Sequence, residues 1–240
     1  MEREYEVGLY KHNKVAYENV VKMFETEDKV CVIQATGTGK SFVALQLMYD
    51  FLKNNPERHV KFFAPQNGIL EQLREHIKTL NVDSSVFNNV EFLTYQSLLN
   101  MTRKEIKDMD IDLMVTDEFH RLGAPEWQKR LELIEKTHPN LKVFGMSATP
   151  VRARGTINEE DVSETFFEGN VANKYELYQA LADGVLPTPD YHVAITVLLD
   201  ECDDLEEKIK NGKASNEEKK EYIEMLSDIR KRISEGESVE

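Results

Sequence analysis

Gln34-Ala35-Thr36-Gly37-Thr38-Gly39-Lys40-Ser41 decides how the rest of this 240-residue chain is read. An apolar run, Val30-Cys31-Val32-Ile33, precedes it, and an amphipathic run from Phe42 to Phe51 follows. A buried strand, a glycine turn and a helix N-terminus in that order form a phosphate-binding site. Gly37 and Gly39 let the backbone turn tightly, so that Thr36, Gly37, Thr38 and Gly39 can aim N–H groups at one anion. Lys40 adds a flexible positive charge for the outer phosphates, and Ser41 a hydroxyl suited to Mg²⁺. The usual pattern carries a glycine where Gln34 stands.

Outward from this loop the chain alternates. Residues 9–24 place Val15, Ala16, Val20, Val21 and Phe24 at helical spacing ahead of the first strand, 29–33. The helix after the loop stops near Asn54-Asn55-Pro56. Strands are expected at 60–64, 90–95, 111–116 and 141–146, with amphipathic helices from Asn67 and from about Pro125 to Lys136 between them. Alternation at this spacing means a mostly parallel sheet covered on both faces, with ligands bound at the carboxyl ends of its strands. Past Pro150 the texture changes: 151–161 reads as a polar loop, about 159–167 and 174–183 as short helices, and 191–199 as one further strand. The expected division is a three-layer α/β domain over 1–190, then a strand and a charged helical extension over 191–240.

The balance of 30 Lys and Arg against 44 Asp and Glu, a net −14, excludes a surface that binds nucleic acid by bulk charge, though not a local basic groove. Two cysteines, Cys31 and Cys202, give neither a disulfide framework nor a zinc spacing and fit a reducing, cytoplasmic setting. No apolar run approaches the ~20 residues of a membrane span. From Glu201 onward 13 acids and 8 bases surround sparse apolar marks at Ile209, Tyr222, Met225, Leu226, Ile229 and Ile233. That stripe has no evident partner within the chain, which therefore looks cut.

Two further strand ends carry polar clusters. Asp117-Glu118-Phe119-His120 offers one carboxylate for Mg²⁺ and one to orient or deprotonate an attacking water. Asp117 is assigned to the metal and Glu118 to the water; a helix N-terminus decorated with acids would look similar. Ser147-Ala148-Thr149 could hydrogen-bond across to these carboxylates. His120 in isolation would be an ordinary surface or core histidine.

In this order the three stretches resemble motifs I, II and III of superfamily-two helicases and translocases, nearest to the motor subunits of type I and type III restriction enzymes. The resemblance covers about Leu9 to Pro150. It implies a RecA-like domain with ATP and Mg²⁺ as ligands, a nucleic-acid track (DNA favoured over RNA), and a second RecA-like domain in the full-length chain. By the same resemblance Lys40 binds the β- and γ-phosphates, Ser41 and Asp117 serve Mg²⁺, and Glu118 is the catalytic base. His120, Ser147 and Thr149 would couple hydrolysis to movement. Gln66, in a stretch similar to motif Ia, and Thr94 and Gln96, in a T-Y-Q element, would neighbour nucleic-acid phosphates. Asn13 stands where the family often has an adenine-contacting Gln. Its neighbour Tyr10 could stack on the base or serve as a buried staple. Arg152 and Arg154 read either as phosphate contacts or as a solvated loop.

The expected function is the first motor domain of an ATP-dependent helicase or translocase, weakly active without its second half. The alternative is a non-motor ATP switch whose charged C-terminal helix docks on a partner. A nucleotide kinase fits Asp117-Glu118-Phe119-His120 with Ser147-Ala148-Thr149 poorly.

Overall fold

A computed structural model of the chain describes residues 7–154, 158–188, 202, 205–207, 209–212 and 215–234. The described residues fall into two compact units that divide between Pro187 and Thr188.

Six parallel strands form the sheet of the first unit: β1 (Lys29–Gln34), β2 (Val60–Ala64), β3 (Val90–Thr94), β4 (Leu113–Asp117), β5 (Lys142–Ser147) and β8 (Val171–Tyr175). Their order across the sheet is β3-β2-β4-β5-β1-β8. The inner strands read as continuous apolar runs because both faces are covered. In β1, Val30 and Val32 join one core with α1 (Lys11–Met23), α2 (Lys40–Asn54) and α3 (Asn67–Thr79). Cys31 and Ile33 join the other, with residues of α4 (Tyr95–Asn100), α5 (Arg103–Lys107), α6 (Pro125–Thr137) and α7 (Val162–Thr165). This is the period-two alternation of a strand acting on two faces at once. The result is a RecA-like α/β domain, as the sequence implied.

The register brings the strand ends level. Asp117 lies opposite Met146 of β5, and Ile33 of β1 lies opposite Ser147. Along the carboxyl edge the order is therefore Thr94, the Pro65-Gln66 turn, Asp117-Glu118, Ser147, the phosphate loop and Tyr175.

Three expectations past Pro150 need correction. The stretch read as a loop pairs as an antiparallel hairpin, β6 (Val151–Arg154) with β7 (Asn158–Asp161). The helix expected over 159–167 shrinks to α7, because its first residues belong to β7. The stretch before α8 (Leu177–Ala182) is not a helix from Lys174; it is the edge strand β8, parallel to β1. The strand expected at 191–199 lies outside the described residues.

In the second unit a helix runs from Asn216 to Ser234. Two of its apolar marks have partners within the unit: Leu226 and Cys202 are buried together, with Ile229 and, from outside the helix, Ile209 against them. Arg230 Nη1 donates to Glu206 Oε2 at 2.6 Å. Tyr222 and Met225 stay exposed. Among the described residues, no helix is long and apolar enough to cross a membrane.

Candidate nucleotide site at the strand ends

The phosphate loop leaves β1 and enters α2 through two glycines in the left-handed region, Gly37 at φ 86° and Gly39 at φ 84°. Both positions are also crowded. A Cβ on Gly39 would meet Asn13 Nδ2 at 2.9 Å, and one on Gly37 would meet Leu186 Cδ2 at 3.0 Å. Thr36 and Gly37 form the exposed tip. Thr38 turns inward, its hydroxyl donating to the Ala35 carbonyl at 2.7 Å. Helix α2 starts at Lys40 without a side-chain cap; the Phe42 N–H bonds the Gly39 carbonyl at 3.0 Å, and the positive end of the helix lies at the loop.

Asn13 supports this loop from behind. Its Nδ2 donates to the carbonyls of Thr38 (2.9 Å) and Gly39 (3.2 Å), and its side chain is wholly buried. Two carbonyl partners fix which end of the amide is nitrogen. Oδ1 is buried without a hydrogen-bond partner. His12 lies 2.7 Å from the Thr38 carbonyl through Nε2. Its ring is stacked between Tyr10 (centroids 6.1 Å apart) and Tyr175 (4.8 Å). Tyr10 is 70% exposed, which removes the buried-staple reading. His12 carries no motif of its own in the sequence, and its adjacency to Asn13 is the one signal that marks it.

Lys40 is buried, with Nζ 3.4 Å from the Ala35 carbonyl. Burial lowers its pKa, while Glu118 and Asp117 act to raise it. Opposite stand the two carboxylates. Burial, then the charge of Glu118, pushes Asp117 up to about 6, against the pull of Lys40. Glu118 goes the other way. Hydrogen bonding with His120 holds it below the usual glutamate range, and Ser147 and Lys40 add to this against partial burial. Neighbouring carboxylates with divergent environments take different roles.

Glu118 Oε2 accepts from Ser147 Oγ at 3.0 Å and lies 3.3 Å from His120 Nδ1. His120 Nδ1 and Ser147 Oγ are 3.1 Å apart, closing a triangle. Ser147 has one hydroxyl proton, and the Thr149 carbonyl at 2.6 Å competes for it. Thr149 thus reaches the cluster through its backbone, and its side chain is exposed. Glu118 itself is left-handed (φ 53°, ψ 53°), a conformation that costs a non-glycine residue roughly 1–2 kcal/mol.

The donor set suits Mg²⁺. That ion keeps several waters and takes one or two protein ligands plus phosphate oxygens, which Ser41 and Asp117 can supply. Among the described residues, no group of three or more His, Cys, Asp or Glu could hold a metal by itself.

The nucleic-acid candidates sit at the opposite end of the same edge. Gln66 and Gln96 are exposed. The Thr94 hydroxyl is engaged as the cap of α4, accepting from Ser97 N. A cavity of about 400 Å³ lies here, between Pro65, Gln96, His120, Arg121 and Trp127. Nearer the loop, a cavity of about 660 Å³ is bounded by Thr36, Thr149, Pro150, Tyr175 and Leu177. Tyr95, which follows Thr94, is buried, and both burial and the nearby Asp117 charge push its phenol well above the usual range.

Residues 6–152 match the family model described as type III restriction enzyme, res subunit. The type I restriction enzyme EcoAI endonuclease subunit of Escherichia coli is 23% identical over 176 residues, 67% of this chain and 21% of that protein. The ATP-dependent DNA helicase fml1 of Schizosaccharomyces pombe is 28% identical over 144 residues, 51% of this chain and 17% of that protein. The chain thus spans about a fifth of the length of these curated relatives. Among solved structures, a nuclease-deletion mutant of the Type ISP restriction-modification enzyme LlaGI, in complex with a DNA substrate mimic, superposes with a TM-score of 0.54. It is 19% identical, covering 93% of this chain and 24% of that one. The related enzyme LlaBIII bound to DNA gives 0.51 at 20% identity, covering 75% of this chain and 16% of that one. At these identities the likeness is one of fold.

Proposed function

Because this chain belongs to the type III restriction enzyme res subunit family, we propose that it is the first motor domain of an ATP-dependent helicase or translocase acting on DNA. One observation carries the reading. The phosphate loop, Asp117-Glu118 and Ser147 end three adjacent strands, with Glu118 fixed by His120 and Ser147.

The loop's N–H groups and Lys40 bind the β- and γ-phosphates of ATP. Ser41 and Asp117 would hold Mg²⁺, which would supply charge neutralisation at the phosphates. Glu118, kept ionised at neutral pH, orients a water toward the γ-phosphorus. The water oxygen forms the new P–O bond, its proton passes to Glu118, and the bond to the bridging oxygen breaks to release ADP. His120 and Ser147 hold the carboxylate's direction. Asn13 keeps the loop in shape through the Thr38 and Gly39 carbonyls. The Tyr10–His12–Tyr175 stack offers a flat surface for the base. A second RecA-like domain of the full-length polypeptide supplies the remaining charge stabilisation. Two free cysteines fit a reducing compartment such as the cytoplasm.

DNA is supported by the names of the relatives, which is an argument by analogy. Its path would cross Gln66 and Gln96. Past Gln96 and Leu99 the groove continues into a cavity of about 620 Å³ that Arg103 and Lys129 border. Glu118→Gln in the full-length polypeptide tests the hydrolytic site. Nucleotide binding is expected to survive, while DNA-stimulated phosphate release falls by two orders of magnitude or more, about 3 kcal/mol of barrier. Wild-type turnover in that variant would refute the assignment of Glu118.

A further inference from the structure

Tyr95 opens α4 at the end of β3, yet its hydroxyl donates to the Asp117 carbonyl at the end of β4, 2.7 Å away. Strand β2 lies between β3 and β4. The phenol crosses it against Phe63, the rings stacked at 6.4 Å, and meets Trp127 edge-on at 5.0 Å. The far end of α4 is tied as well. Arg130 of α6 donates to the carbonyls of Met101 (2.7 Å) and Leu99 (2.9 Å). Helix α6 follows directly on the segment that carries Glu118 and His120. Between these two ties, Gln96 faces the cavity it shares with His120 and Arg121.

The carbonyl that Tyr95 holds belongs to the planar peptide joining Asp117 to Glu118, so its direction sets φ of Glu118. The N–H of the same peptide donates to Asp117 Oδ1 at 3.0 Å. Both polar groups of this unit are thus engaged, and the residue after it is held left-handed at φ 53°. Rotating the peptide to relax Glu118 breaks one of the two bonds. Moving α4 moves one of the donors.

We propose that Tyr95 is a positioning residue through which the surface around Gln96 governs the aim of the Glu118 carboxylate. The inference rests on the motor reading above: a nucleic acid seated beside Gln96 shifts α4, and the phenol carries that shift to the 117–118 peptide. The strap is a single hydroxyl, so Tyr95→Phe removes it while leaving the ring to pack.

The experiment uses the full-length polypeptide with a duplex DNA oligonucleotide. Tyr95→Phe is compared with Tyr17→Phe, which removes another buried tyrosine's hydroxyl, bonded to Asp50 and set in the other hydrophobic core of the sheet. Tyr95→Phe should lower DNA-stimulated kcat about tenfold, with KM for ATP and the Kd for DNA within about twofold of wild type. Tyr17→Phe should leave stimulation intact. Independently of turnover, amide exchange at Glu118 and Phe119 should accelerate in Tyr95→Phe alone. Should that variant fail to fold, Arg130→Gln frees the other end of α4 and is expected to show the same kcat-without-KM loss. Unchanged stimulation or unchanged exchange in Tyr95→Phe, or an equal loss in Tyr17→Phe, overturns the proposal; so does unchanged stimulation in Arg130→Gln. A wild type without DNA-stimulated turnover overturns the motor reading too. An active wild type with an unaffected Tyr95→Phe overturns this inference alone.

Discussion

Replacing Asp117 by asparagine should make the domain more stable while removing the carboxylate proposed to hold Mg²⁺. The carboxylate is 8% exposed, and burial pushes its pKa from 3.8 up to about 6. A rise of that size means that holding the ionised form in the folded state costs about 3 kcal/mol at neutral pH. Asparagine removes that charge and keeps an Oδ1 acceptor for the Glu118 N–H, now 3.0 Å away. Its extra N–H₂ enters a site without an assured acceptor, which returns about 1 kcal/mol. The net expectation is about 2 kcal/mol of stabilisation, or roughly 4–8 °C in Tm for a domain of this size. The pH dependence follows from the direction of the shift. Above about 6 the folded and unfolded chains are both ionised at Asp117, and the full cost is present. As pH falls from about 6 toward 4, the folded state takes up its proton first and wild type gains stability. The variant's advantage should therefore be largest near pH 7.5 and close to zero near pH 4. Calorimetry at both pH values checks this. Addition of Mg²⁺ and nucleotide should then raise the Tm of wild type and not of the variant. A variant less stable than wild type at pH 7.5, or an advantage that persists near pH 4, would refute the reasoning.

Two further outcomes are expected. Asn13→Ala removes both amide bonds to the Thr38 and Gly39 carbonyls, at about 1 kcal/mol each. Isothermal titration should show nucleotide affinity falling by about tenfold or more, since the loop loses its support. Gly145→Ala places a Cβ 2.3 Å from Phe167 Cζ. Overpacking there should lower stability by about 1–3 kcal/mol in denaturant titrations, with Phe167→Leu in the same chain recovering part of the loss.

The strands that carry the site were legible because burial on both faces keeps them almost wholly apolar, the buried Thr116 hydroxyl bonding the Phe144 carbonyl. Leu113–Thr116 and Val143–Met146 are buried throughout, and both runs end at the residues proposed for the chemistry. Edge elements gave no such signal. In β8, Val-Ala-Asn-Lys-Tyr mixes buried Ala172 and Tyr175 with half-buried Val171 and Asn173 and exposed Lys174. Without an apolar run its β-character rests on pairing with β1, which sequence alone does not display. The hairpin of β6 and β7 is harder still. Its second strand is Asn158-Glu159-Glu160-Asp161, a string that propensity assigns anywhere but to a strand. Backbone pairing with Val151–Arg154 sets its conformation.

Site residues divide along the same line. Lys40, Asp117, Glu118 and Ser147 are spaced by strand and turn geometry, which a linear pattern records. The roles of His12, Tyr95 and Arg130 depend on contacts across 26, 22 and 29–31 residues of chain. Asn13 lies between these cases. The family pattern marks its position, but its Nδ2 is committed to the Thr38 and Gly39 carbonyls, and the side chain is closed from solvent. A glutamine there, one methylene longer, would extend past the same carbonyls. The shorter amide stops at them, and Gly39 is required because any Cβ would meet that nitrogen at 2.9 Å. The loop's shape and the residue behind it are thus one joint solution: a left-handed glycine makes room for the amide, and the amide holds the carbonyls that keep the glycine left-handed. Under the proposed motor reading, this geometry leaves the exposed ring of Tyr10 and its stacked partner His12 as the surface for a base.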